Sequence, residues 1–186
     1  MRGVGGGTGM ISMALMLGLQ LGGEPSIVPE LIMPRSKNRR LLPGRGWDVK
    51  LPRDFQVVGE DPGTHTLVLR VVVNQTHSCQ LQLISRQLPL GNAGSLALAA
   101  TSRLKKLPNV KLQGTRKLGR GMLRQSAVFQ PLNNPSLTRF VVEWYRVERG
   151  AAVIASLQGS IGLSQVCEAK ALGLIVDLKR MQVADP

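Results

Sequence analysis

The chain has 186 residues, enough for one domain with a full core and tails at either end. Its 24 Lys and Arg against 11 Asp and Glu give a net charge of +13, which favours an acidic partner: nucleic acid, anionic lipid or an acidic protein face. Two distant cysteines and two unclustered histidines lack the ligand spacing of a metal site, so neither metal nor cofactor is expected.

Met1–Gly23 carries one base, Arg2, and no acid. An apolar run from Met10 to Leu21 follows, and Gly22-Gly23 gives a small-residue end. That layout resembles a secretory signal, and the run falls short of the roughly 20 apolar residues of a membrane span. It predicts an exported protein, periplasmic or thylakoid-lumen-like and membrane-associated. Gln20 and Leu21 fit poorly ahead of a cleavage site, so an uncleaved anchor or an organelle transit segment is the alternative. Glu24–Arg45 holds Pro25, Pro29, Pro34 and Pro43 with a basic cluster of Arg35, Lys37, Arg39, Arg40 and Arg45. Prolines at this density favour extended backbone. A plain tether is the ordinary form of such a segment. Ile27, Val28, Leu31, Ile32 and Met33 point instead to a docking arm that orders on a partner.

The domain is expected over residues 46–183. Trp47, Val49 and Leu51 alternate with Asp48 and Lys50, which makes Gly46–Leu51 the first strand, closed by Pro52. Phe55, Val57 and Val58 continue the apolar pattern into a turn cluster, Gly59–Gly63. Thr66–Val73 is apolar on both sides and predicts a buried strand. Asn74–His77 is a turn, and Cys79, Leu81 and Leu83 mark a half-covered strand. A helix follows, capped by Asn92 or Ser95, with Leu96, Ala97, Ala100, Leu104 and Leu107 on its inner stripe and Pro108-Asn109 at its end. Val110–Leu112 starts a strand, Thr115–Gly121 reads as a basic loop, and Leu123, Ala127 and Phe129 mark the next strand.

Thr138–Val147 and Ala151–Gln158 then form a long hairpin around Glu148-Arg149-Gly150. Both arms are apolar on both faces, as central strands are. Ser164–Gln182 is predicted as one closing helix, N-capped by Ser164, with Cys167, Ala171, Leu174, Ile175 and Leu178 inward and Lys179 and Arg180 in its last turn. The order gives an α+β domain: an antiparallel sheet flanked by two main helices.

Catalytic signatures are absent: there is no GxSxG, HExxH or phosphate-loop pattern. His65 and His77 read as exposed turn residues. Glu143 is the one carboxylate inside a central strand and is expected to pair with a base on a neighbouring strand. Cys79 and Cys167 are either bonded, in an oxidising compartment, or buried as small apolar residues in a reducing one. The strongest local signal is acid-free and basic: Arg103, Lys105, Lys106, Lys111, Arg116, Lys117, Arg120 and Arg124. It is either a solvated rim or a partner-binding surface. Without interleaved aromatics it suits an acidic protein face or anionic membrane better than nucleic acid.

The Trp-containing strand Gly46–Pro52 with Phe55, the helix from Ser95, the hairpin Phe140–Tyr145/Val153–Gln158 and the closing helix together resemble the PsbP-like superfamily. The resemblance covers residues 46–183 and implies an α/β/α-like sandwich. It also implies proteins that mostly bind or stabilise other proteins, without a shared catalytic centre or site residues to carry over. The expected function is a non-enzymatic, exported protein that holds to a larger membrane-associated assembly through its basic surface and its arm. The alternatives are a nucleic-acid-associated protein and a carrier of a small apolar ligand; no small-molecule substrate is expected.

Overall fold

In the computed structural model, residues 39–42, 47–88, 92–119, 121–148 and 150–180 are described, all within one unit, Pro34–Pro186. The signal-like segment and most of the arm, including Arg35, Lys37 and Arg45, lie outside them, as does Arg120.

The predicted hairpin is the inner part of the sheet. Arg139–Glu148 (β8) and Ala151–Ser160 (β9) pair without interruption from Arg139 opposite Ser160 to Glu148 opposite Ala151, and Gly150 at φ 74° supplies the left-handed turn residue. Around them stand Phe55–Asp61 (β3), Thr66–Val72 (β4), Ser78–Gln87 (β5), Lys111–Lys117 (β6) and Met122–Phe129 (β7). The seven-stranded sheet is antiparallel throughout, in the order β3-β4-β5-β9-β8-β7-β6. Each strand shows two faces, since successive side chains point opposite ways. On β8, Phe140, Val142 and Trp144 join the larger core, while Val141 and Tyr145 join two smaller clusters.

The two helices pack with different clusters. Ala93–Leu104 (α1), capped by the Asn92 side chain on the Ser95 N–H at 2.9 Å, packs Ala97 and Ala100 with Tyr145, and Leu104 with Ala127 and Val141. Ser164–Val176 (α2) packs Cys167, Ala171, Leu174 and Ile175 with the core that holds Trp144. The Cys79 and Cys167 sulfurs are bonded, joining β5 to α2 with a Cα–Cα distance of 6.3 Å. β9 passes directly beneath this bond at Gly159, where a Cβ would lie 2.7 Å from the Cys79 sulfur and 3.1 Å from the Phe140 ring. Gly159→Ala is therefore expected to destabilise the domain by about 1–3 kcal/mol in a denaturant titration; an unchanged midpoint would show that the bridge and ring can yield.

Several expected elements differ. Arg39–Leu41 (β1) is a strand inside the supposed arm. It pairs with Trp47–Lys50 (β2), which is therefore the second strand rather than the first. Leu42, next in line, is 1% exposed, so the domain begins before the Pro/Gly-rich stretch rather than after it. β3 runs through Gly59 to Asp61, with a bulge between Val57 and Gly59, and the turn falls beyond it. β4 is buried on one face only, through Leu67, Leu69 and Val71.

Thr115–Lys117 belongs to β6, so the predicted basic loop shrinks to the turn after Lys117. A 3₁₀ turn, Ile161–Leu163, leads into α2, and Ser164 is its first residue rather than its cap. α2 stops at Val176. Lys179–Arg180 (β10) pairs with Asp48 and Trp47 on β2 instead of forming a last helical turn. Arg146 holds this ending: its guanidinium donates to the Ile175 and Leu178 carbonyls at 3.2 and 2.8 Å and lies 5.4 Å from the centre of the Trp47 ring. No helix among the described residues is long and apolar enough to cross a membrane.

Candidate functional site

The basic residues singled out by sequence divide into two groups. Among the described residues β6 is an outer strand paired with β7 alone, so its other side presents backbone groups outward. Lys111, Arg116 and Lys117 are exposed along it, while Leu112 turns in against the cluster around Leu104. Lys105 and Lys106, also exposed, follow the last turn of α1; the chain then passes Pro108, whose carbonyl accepts from the Gln130 N–H at 3.3 Å, and enters β6. These five form one positive border. Arg39 and Arg40 sit in β1, outside this border.

Arg103 and Arg124 face inward. Arg124, on β7, grips the Glu168 carboxylate of α2 through Nε at 2.5 Å and Nη2 at 2.9 Å, and donates from Nη1 to Ser126 at 2.9 Å. Arg103 reaches from α1 to Glu143, 3% exposed on β8. The base that neutralises Glu143 thus comes from the helix above the sheet, not from a neighbouring strand as expected. The remaining lone pairs of Glu143 accept from the Tyr145 hydroxyl and, at 3.4 Å, from Ser156. Beside them Gln125 donates to Thr101 Oγ1 at 2.5 Å. The network bolts α1 to the sheet. Its sequence signal was Glu143 itself: a carboxylate in a central strand requires a cation within reach. Nothing local specifies which cation.

Burial, and next the Glu143 carboxylate, push the Tyr145 hydroxyl well above its ordinary value. The folded value lies above the unfolded one of about 10, so this contribution to stability is intact below pH ~10 and is lost as pH rises further. Tyr145 is the sole tyrosine. Its ultraviolet titration should therefore show no tyrosinate at about pH 11 while the protein stays folded, and ionisation coincident with unfolding. A folded-state transition near pH 10 would place Tyr145 in contact with water.

The remaining candidates are peripheral. His77 is exposed, with its Nδ1 2.8 Å from Thr76 Oγ1 and 3.0 Å from Asn74 Oδ1. His65 is half-buried rather than exposed, at φ 53°. Among the described residues no three His, Cys, Asp or Glu side chains gather as a metal site would need. Two crevices flank the β6–β7 turn. One, of about 150 Å³, lies among Leu118, Met122, Arg146 and Val176. A broader and more open one, of about 570 Å³, lies between the start of α1 and Lys117, Leu123 and Val147. The first is smaller than the ~300 Å³ at which ligand pockets usually begin.

No protein-family model matches the chain, and no curated protein matches it. Solved structures share its fold. LpqN, involved in cell envelope biogenesis of Mycobacterium tuberculosis, is 13% identical at a TM-score of 0.53, covering 73% of this chain and 83% of its own. The Saccharomyces cerevisiae Ran-binding protein Mog1p is 8% identical at 0.51, covering 73% and 90%. A mutant of protein Mog1 is 9% identical at 0.55, covering 78% and 96%. The chain has the PsbP-like fold, as its element order implied.

Proposed function

We propose that this is a non-enzymatic exported protein that binds and stabilises a larger membrane-associated protein assembly, setting the β6 border and the Glu24–Arg45 arm against an acidic face of it. The observation that carries the proposal is β6, an outer strand among the described residues. Its backbone is open to a partner on one side, Lys111, Arg116 and Lys117 line it, and no carboxylate occurs in the sequence from Pro62 through Val142. An extended acidic segment added to that edge gains main-chain hydrogen bonds and charge complementarity together. Export is supported by the signal-like N-terminus and by the Cys79–Cys167 bond, which persists in oxidising compartments. The fold likenesses to an envelope-biogenesis protein and to a Ran-binding protein favour an envelope setting and a protein partner.

The test is site-specific photo-crosslinking from position 116 in the native envelope fraction, followed by binding to the captured partner. Arg116→Glu with Lys117→Glu should weaken that binding about tenfold and abolish its salt sensitivity, whereas Val57→Glu on the opposite outer strand should not. Equal binding by all three proteins would count against the β6 border.

A further inference from the structure

The end of the sheet where β8 begins and β9 finishes carries a second surface, unlike the basic edge in chemistry. Two neutral stretches of the chain meet there: Gln125–Thr138 and Gly150–Cys167 contain no charged residue. Their meeting is fixed by backbone pairing, with Arg139 opposite Ser160 and the Ile161 N–H donating to the Thr138 carbonyl at 3.1 Å.

Large apolar side chains project from this end. Leu132, at the tip of the β7–β8 loop, is 82% exposed. Leu137 and Ile161 are also exposed, and Val166 stands one turn into α2. Beside them, Lys105 and Lys106 follow the last turn of α1, and Lys111 opens β6 opposite Val128. β6 to β9 are four adjacent strands, so at about 4.8 Å per spacing the start of β6 at Lys111 and the end of β9 before Ile161 are roughly 15 Å apart across the sheet. The carboxylate at this end of β3, Asp54, is engaged by Lys170 at 2.6 Å.

We infer that this end docks on an anionic lipid bilayer, with Leu132 and Ile161 entering the interface and Lys105, Lys106 and Lys111 meeting the phosphates. The neutral Asn, Pro and Ser residues between the tips bring no charge that insertion would have to desolvate. Lysines flanking an apolar wedge are the arrangement that adds surface-potential attraction to burial. The three lysines belong to the same positive border as Arg116 and Lys117, but Leu132 and Ile161 lie outside it, so Leu132→Ser and the Arg116/Lys117 variant test the two readings apart.

The experiment is co-sedimentation of the full chain with vesicles of phosphatidylglycerol and phosphatidylcholine in equal parts, against vesicles of phosphatidylcholine alone. Wild type should bind the anionic vesicles and leave the neutral ones. Leu132→Ser should weaken binding at least tenfold. Lys105→Gln with Lys106→Gln should weaken it about 20–30-fold, at roughly fivefold per lysine. Leu98→Ser, which removes an equally prominent apolar side chain (71% exposed) from α1, should change nothing. In Leu132→Trp the new indole should shift to shorter emission wavelength on anionic vesicles, against a constant background from the buried Trp47 and Trp144. No binding of wild type, equal binding to both vesicles, or equal losses from Leu98→Ser and Leu132→Ser would each overturn the inference.

Discussion

Reducing the Cys79–Cys167 bond should lower the unfolding free energy of the domain by about 4–5 kcal/mol. The bond closes a loop of sequence separation 88. The chain-entropy relation for a loop of that size gives an effect near the upper end for single disulfides. The domain has little redundancy at this point, because α2 is held to the sheet by its own inner stripe and by few long-range polar contacts. Those contacts are Arg124 with Glu168, Lys170 with Asp54 and with the Val72 carbonyl at 2.9 Å, and Arg146 with the Ile175 carbonyl at 3.2 Å. Both sulfurs are buried, so mild reductant should act only after local opening.

Denaturant titration with and without a strong reductant measures the effect, and Cys79→Ala with Cys167→Ala should reproduce the reduced midpoint. A reduced protein as stable as the oxidised one would show that the sheet and α2 need no link, and would remove the support that the bond gives to export. The same pair ties stability to compartment: a marginal reduced domain survives where thiols oxidise and is exposed to proteolysis where they do not.

What the sequence made legible follows from where the physics is local. The β8–β9 hairpin was readable because its apolar residues fill both faces over ten positions on each side and a glycine stands at the turn. α1 was readable because its cap and inner stripe agree, although it stops at Leu104, ahead of Leu107 and of the Pro108-Asn109 end expected for it. β6 was hidden for the converse reason. An outer strand whose side chains nearly all meet solvent has no period-2 contrast, and Thr115–Lys117 carries the composition of a loop. The end of α2 was misplaced because Leu178 continues the helical spacing from Leu174 although it is buried beyond the last turn. The stop is imposed from outside, by Arg146 on the last carbonyls and by β2 pairing with β10. β1 was invisible because a three-residue strand is created by its partner. In the candidate surface, the five outward basic residues were found by charge alone. The inward turn of Arg103 and Arg124 depends on carboxylates 40 and 44 positions away, which no local pattern encodes.

The second large effect should come from Arg103→Ala, with a loss of about 3 kcal/mol. Glu143 is almost wholly buried, and its negative charge is tolerated because a guanidinium from α1 and two hydroxyls surround it. Removing the cation leaves an uncompensated charge beneath α1, for which breaking a buried pair costs about 3–5 kcal/mol. Arg103 is itself partly solvated, its side chain 29% exposed, which places the expectation at the lower end.

The asymmetry between partners is the sharper test. Glu143→Gln keeps an acceptor for Tyr145 and Ser156 and leaves Arg103 with access to water, so it should cost only about 1–2 kcal/mol. Arg103→Met, Glu143→Leu and Tyr145→Phe together remove the charges and the hydroxyl that would otherwise be stranded, and should recover most of the loss. Equal costs for Arg103→Ala and Glu143→Gln would mean that the ion pair is solvated and that α1 is held by Ala97, Ala100 and Leu104 alone. The β6 border, which begins at the end of α1, would then rest on apolar packing and not on the buried charge.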